Sequence, residues 1–167
     1  MSSPDQVALL AGTIDGLRAL RSLDYVLVVA SNQSGVGRGM FGPEEADAVH
    51  ARMVSLLGEH GVWLDGAYYC LHGPDEGCDC RKPGPGLFRR AAEELGIDMA
   101  SSLTIGDRRR DLLAGHRAGC LTTILLGDGD AGQGEDEAVR AEGSDGVPSF
   151  RAGSWPELIT WVEVQHQ

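Results

Sequence analysis

The sequence predicts an α/β domain in which a mostly parallel sheet carries helices on both faces. Three observations lead there. Short, β-branched apolar runs alternate with helical patterns along the chain. Prolines and glycines stand at the ends of those helical patterns. Residues suited to chemistry (Ser31-Asn32, the cysteine-rich stretch 70–80 and Gly106-Asp107) each follow directly on an apolar run. Alternation of this kind builds parallel sheets through helical crossovers, and such sheets place their sites at the carboxyl ends of the strands.

The elements follow in order. Tyr25-Val26-Leu27-Val28-Val29-Ala30 is nearly continuous in apolar residues, as a strand buried on both faces should be. A helix is predicted from Pro43, suited to a first helical position, to about His60, with Gly61 as its stop. Ala67 to Cys70 reads as a short strand, and Pro85 to Leu95 as a helix closed by Gly96. Leu103-Thr104-Ile105 is a strand, Asp107 to Ala118 a helix ending at Gly119, and Leu121 to Leu126 a further strand. A last helix starts near Ser154-Trp155-Pro156-Glu157.

A length of 167 residues suits one domain with a real core, so 1–167 is read as a single domain. The net charge of −11 is uneven: residues 127–146 hold seven acids and one arginine, leaving −5 for the remainder. That acidic stretch has too little apolar content to pack and is predicted to be a mobile loop. No basic stripe balances the acids, which argues against a nucleic-acid partner. No apolar run is long enough for a bilayer and no secretory leader is recognisable, so a cytoplasmic protein without a membrane partner is expected. In that compartment clustered cysteines hold metal more often than they form disulfides.

Three of the four cysteines lie within residues 70–80. Cys70-x-His72 and Cys78-x-Cys80 are two pairs at spacing two, which on extended backbone point to one side and can pinch an ion. Gly73-Pro74-Asp75-Glu76-Gly77 supplies the turn between them. Three thiolates and an imidazole complete a tetrahedral Zn²⁺ shell with no place for water, hence a structural zinc. The competing reading is a loop of plain thiols or a redox pair. Cys120 stands apart and is read as a small core residue.

Arg81-Lys82 follow the last of these cysteines, with Pro83 and Pro85 stiffening the chain beyond. A clamped loop reduces the entropy lost in aiming both cations at one anion, although an Arg-Lys pair is also an ordinary surface feature. Ser31-Asn32-Gln33-Ser34-Gly35-Val36-Gly37-Arg38-Gly39 follows the most apolar strand with hydroxyl, amide and backbone N–H groups that suit phosphate oxygens or an ordinary turn. Asp107 is either a helix N-cap or a Mg²⁺ ligand. Asp111, one turn on, either orients the site or faces solvent.

Together SNQSGVGRG, C-x-H…C-x-CRKP-x-PG and IGDRRRD resemble the successive motifs of the haloacid dehalogenase-like phosphatases, in the branch of the heptose-bisphosphate and histidinol-phosphate phosphatases. The likeness runs from about Val7 to the last helix. It implies a Rossmann-like three-layer domain and Mg²⁺-dependent hydrolysis of a phosphorylated sugar. By the same resemblance Ser31 holds the transferring phosphoryl group and Lys82 neutralises it. Arg81 recognises a second phosphate, Asn32, Gln33, Ser34 and Arg38 belong to the substrate loop, Asp107 binds Mg²⁺, and Arg108 stands where the family often has lysine. The five residues between His72 and Cys78 make a short metal loop, which bears on the substrates that fit.

The family's chemistry starts from a strand ending in D-x-D-G-T, whose first aspartate attacks phosphorus. No D-x-D-G-T occurs in these 167 residues. Val7 to Thr13 aligns either as a decayed copy with Leu9 and Ala11 for the aspartates, or, with better fit, as the later segment leading into the first helix, which puts the catalytic strand before Met1. Neither supplies a nucleophile, and Asp5 and Asp15 read as surface groups. Residues 5–11 are then expected to replace the missing central strand, since an empty slot orphans backbone groups at roughly 1–3 kcal/mol each. The functional expectation is a heptose-bisphosphate phosphatase-like protein of weak activity. The alternatives are a phosphosugar- or partner-binding pseudo-phosphatase and a histidinol-phosphate phosphatase.

Overall fold

A computed structural model describes residues 3–127 and 148–166. The chain divides into two compact units, Met1–Cys78 and Asp79–Gln167. The acidic stretch 127–146 lies, apart from Gly127, outside the described residues.

In the first unit a 3-10 turn at Pro4–Gln6 precedes α1 (Thr13–Ser22), β1 (Val28–Asn32), the single turn α2 (Ser34–Gly37), α3 (Pro43–Gly58) and β2 (Gly66–Cys70). β1 and β2 pair in parallel, Val28 opposite Gly66 and Asn32 opposite Cys70, with α3 as the crossover that parallel strands need. Leu20, Leu27, Val49, Leu57, Val62, Tyr68 and Cys70 are its buried apolar residues. Behind β2, the Tyr69 hydroxyl lies 2.7 Å from His50 Nδ1 on α3. Burial raises the Tyr69 pKa, so the phenol stays protonated.

β1 starts later than its apolar run because Leu27 is already engaged. Its N–H donates to Asp65 Oδ2 at 2.7 Å and its carbonyl accepts from Asp65 N–H at 2.8 Å. The same carboxylate holds Arg21 of α1 at 2.7 Å, and Arg21 also donates to the Trp63 carbonyl at 2.8 Å. One side chain thus ties strand start to helix. Asp65→Ala is expected to cost about 1–3 kcal/mol, because it leaves a donor on buried Leu27 without its acceptor. Asp65→Asn, which keeps an acceptor, should lose less. Urea denaturation of the two variants checks this, and equal losses would refute it.

Residues 5–11 do not form the expected substitute strand. Pro4 lacks an N–H, and the Gln6 and Val7 amides donate back to the Ser3 and Pro4 carbonyls, folding the segment into a 3-10 turn. Beyond it Ala8 and Leu10 are exposed while Val7 and Leu9 are half-buried, so the run covers one side only. Thr13–Ser22 is helical, as the second alignment has it, and Asp5 and Asp15 lie on the surface.

The second unit runs α4 (Gly86–Leu95), β3 (Leu103–Gly106), α5 (Arg109–Arg117), β4 (Thr122–Leu126), β5 (Phe150–Ala152) and α6 (Trp155–Gln165). Its sheet is parallel in the order β3-β4-β5, with Ile105 opposite Ile124 and Leu125 opposite Arg151. Leu112, Leu113, Ile124, Leu125, Leu158 and Val162 form the fully buried core. Cys120 is buried too, its thiol 2.9 Å from the Ser102 carbonyl, as expected of a core residue. Phe150 stacks on Trp161 with ring centroids 5.0 Å apart, joining β5 to α6. β5 was not predicted. Three residues in the wake of an acidic stretch give too short an apolar pattern to read.

α4 and α5 end within two residues of Gly96 and Gly119, whereas α3 ends at Gly58, short of Gly61; all three glycines have positive φ. Among the described residues no helix is long and apolar enough to cross a membrane.

Candidate functional site

In the first unit the two loops that leave β1 and β2 start side by side. Ser31 and Asn32 are the last residues of β1, level with Tyr69 and Cys70, and the Gln33 N–H donates to the Cys70 carbonyl at 2.7 Å. Ser34 opens α2, and Arg38 follows it, exposed to solvent. The strand end therefore presents Ser31, Asn32 and Gln33 directly beside the first cysteine of the metal loop.

The ligand atoms of Cys70, His72, Cys78 and Cys80 all lie within 4.8 Å of one another. A tetrahedral ion with bonds of about 2.3 Å to sulfur and about 2.0 Å to nitrogen requires S···S edges near ~3.8 Å and S···N edges near ~3.5 Å. Cys70 Sγ stands 3.6 Å from both Cys78 Sγ and His72 Nδ1. Among the described residues no disulfide joins any cysteine. The donor set and its spacing fit a metal ion held by four protein ligands. Between the two pairs, Glu76 closes the turn by accepting from the Gly73 N–H, a contact that no sequence motif announced.

In the second unit Lys82 is nearly buried and pairs with Asp111 on α5, Nζ to Oδ1 at 2.5 Å, with the two side chains 11% and 10% exposed. This settles the two readings of Asp111: it faces inward and holds a cation. Its other oxygen accepts from the Arg108 N–H at 3.1 Å, while its own N–H donates to the Arg108 carbonyl, so Asp111 also closes the first turn of α5. Gly106 makes room for it, since a Cβ there would lie 2.4 Å from Asp111 Cβ. No sequence capping signature marks this turn, since arginine is not an N-cap residue. Nor does the sequence mark Lys82 as the partner of Asp111.

Pro83 is anchored by Arg117 Nη1, which donates to its carbonyl at 2.9 Å. Arg81 precedes the pair, and its Nη1 is buried without a hydrogen-bond partner among the described residues. Asp107, past the end of β3, is 72% exposed and lies 3.8 Å from Arg108 Nε. The N-cap reading of Asp107 fails, because the cap position of α5 is Arg108.

Residues 79–152 match the HAD-hydrolase-like family model. The chain is 40% identical over 125 residues to the D-glycero-beta-D-manno-heptose-1,7-bisphosphate 7-phosphatase of Bordetella bronchiseptica, covering 75% of this chain and 70% of that one. It is 40% identical over 142 residues to the enzyme of the same name from Yersinia pestis, covering 81% and 76%. The structure of D,D-heptose 1,7-bisphosphate phosphatase from B. bronchiseptica, complexed with magnesium and phosphate, superposes with a TM-score of 0.81 at 32% identity, over 99% of this chain and 89% of that one. A cysteine-histidine cluster with metal-ligand spacing, a lysine gripped from the helix after Gly106-Asp107, and relatives of this closeness lead to one assignment. The chain belongs to the haloacid dehalogenase-like phosphatases, in the branch that contains the heptose-bisphosphate phosphatases.

Proposed function

We propose that this chain is a single cytoplasmic phosphatase-type domain that binds the phosphate groups of a small phosphorylated sugar, with a heptose 1,7-bisphosphate as the preferred class. The observation that carries this is the cation pair after the metal loop. A guanidinium nitrogen buried without an acceptor costs roughly 1–3 kcal/mol, and an anion oxygen at Arg81 Nη1 would supply what it lacks. Lys82, held by Asp111, brings a second positive charge next to Arg81 in sequence. The relatives' names and the neighbour's bound magnesium and phosphate support the same class of ligand.

In this reading Ser31 and Asn32 cradle the transferring phosphoryl group from the end of β1, and Lys82 offsets its charge. Arg81 and Arg108 grip the second phosphate in forked hydrogen bonds. Gln33, Ser34 and Arg38 line the approach. Cys70, His72, Cys78 and Cys80 hold a structural zinc, and Asp107 offers its exposed carboxylate to Mg²⁺. That ion, when bound, polarises a phosphoryl oxygen. The residues named here bind and orient the ester and stabilise its charge. Attack on phosphorus needs a carboxylate nucleophile, and the 167 residues contain no D-x-D-G-T motif to supply one. Losing such a nucleophile costs on the order of 10⁴ in rate, so this polypeptide is proposed to bind well and turn over weakly.

Two measurements on the pure polypeptide with Mg²⁺ test the reading. Heptose 1,7-bisphosphate should raise the melting temperature more than histidinol phosphate does. Phosphate release should stay below about a hundredth of a typical ~10 s⁻¹. A larger shift with histidinol phosphate would move the substrate class. No shift with either would reject phosphosugar binding, and fast release would reject the weak-turnover proposal.

A further inference from the structure

Gly37 sits where the loop after β1 meets the metal loop. A Cβ on Gly37 would lie 2.3 Å from Gly73 N, 2.7 Å from Glu76 Oε1 and 2.7 Å from the Leu71 carbonyl oxygen. Two of these three neighbours are backbone atoms lying between Cys70 and Cys78, and the third is the carboxylate that fixes the Gly73 turn. Nearer the strand the same two loops share the bond from Gln33 N–H to the Cys70 carbonyl. The loop also packs on itself. The ring of Phe41 occupies the space beside Gly35, and the Met40 N–H donates to the Gly35 carbonyl at 2.8 Å. The loop thus rests on two supports, its own Phe41 and the metal loop, and Arg38 follows the second of them directly.

We infer that Gly37 and Glu76 are positioning residues that seat the loop of Gln33–Gly42 on the metal loop, so that metal occupancy sets the order of that loop and the aim of Arg38. The inference rests on the metal-binding reading of the four ligands, and not on the identity of the substrate. An ion held by Cys70, His72, Cys78 and Cys80 fixes the backbone from Leu71 to Gly77. That fixed backbone is the surface on which Gly37 lies. Released from the ion, the 71–77 turn gains conformers, and most of them no longer match Gly37. Glu76 couples the two because its carboxylate both closes the turn and faces Gly37.

Trypsin reads this without any activity assay. Arg38 is exposed and followed by Gly39, and cleavage there gives fragments 1–38 and 39–167, distinguishable by mass. Arg52, within α3, reports opening elsewhere in the same unit. Stripping zinc with a chelator should speed cleavage at Arg38 about tenfold relative to Arg52, since cleavage follows the population of the locally open form. Gly37→Ala should retain one zinc per chain by elemental analysis yet be cleaved at Arg38 as fast as stripped protein. Glu76→Ala should act in the same direction, and Glu76→Gln, which keeps an acceptor for Gly73 N–H, should stay near wild type. A zinc-loaded Gly37→Ala protein cleaved no faster than wild type would overturn the inference. So would stripping that speeds Arg38 and Arg52 equally, because the metal would then hold the fold as a whole. Failure of the wild-type protein to take up any zinc would instead overturn the metal reading itself.

Discussion

Chelating zinc from the purified protein is expected to lower its melting temperature by about 10 °C or more. The size follows from two magnitudes. Structural zinc in zinc-finger peptides contributes about 10–16 kcal/mol of apparent binding energy, much of it realised as folding energy. If only ~4 kcal/mol of this remains as net stabilisation here, a domain of 150–250 residues moves by roughly 2–4 °C for each kcal/mol. Cys70 is buried at the end of β2, so an ion bound there would anchor a core strand as well as a surface turn. Cys70→Ser and Cys78→Ser should each fall to the chelated level and bind less than one zinc. Cys120→Ser removes a thiol outside the cluster and should keep its zinc whatever it costs in stability. Calorimetric melting with elemental analysis of the same samples decides the matter. A chelated protein that melts within about 2 °C of the untreated one would show that the four ligands do not hold a structural ion.

Lys82→Met is expected to destabilise the protein by roughly 3–5 kcal/mol, because it leaves the Asp111 carboxylate buried without its cation. The double variant Lys82→Met with Asp111→Asn should recover most of that loss. Asparagine removes the stranded charge and still accepts from the Arg108 N–H, whereas replacing both members of a buried pair is often nearly neutral. Phosphate binding should not recover with it. Urea denaturation gives the stabilities, and the melting shift produced by inorganic phosphate gives the binding. A Lys82→Met cost below about 1 kcal/mol would mean that the pair behaves as a solvated surface bridge. A double variant as unstable as the single would mean that Lys82 acts through packing, not charge.

The features legible in the sequence are those set by neighbours along the chain. The start of α3 and the ends of α4 and α5 follow Pro43, Gly96 and Gly119, because these residues act on the backbone within one turn. The metal cluster was legible for the same reason, with all four ligands inside residues 70–80. What was hidden depends on tertiary closure. Lys82 could be recognised as a cation but not as the partner of Asp111, since nothing local distinguishes an inward aspartate at the third position of a helix from an exposed one. The start of β1 shifted because Asp65, on another segment, engages Leu27. The substitute strand at residues 5–11 was inferred from apolar content alone, and local bonds around Pro4 won. Glu76 carries no motif, and only its approach to Gly73 and Gly37 shows what it does.

Because Cys70, His72, Cys78 and Cys80 lie in one short stretch, an ion at the proposed zinc site would need no distant part of the chain to be captured. Loops of about ten residues close in some 10–100 ns, far faster than synthesis adds residues at about 5–20 per second. On the zinc reading, a nascent chain would seize its ion as soon as Cys80 clears the ribosome, before α4 and the elements beyond it have emerged to fold. Cellular metal supply would then act on this protein at its birth, before there is a finished fold to protect.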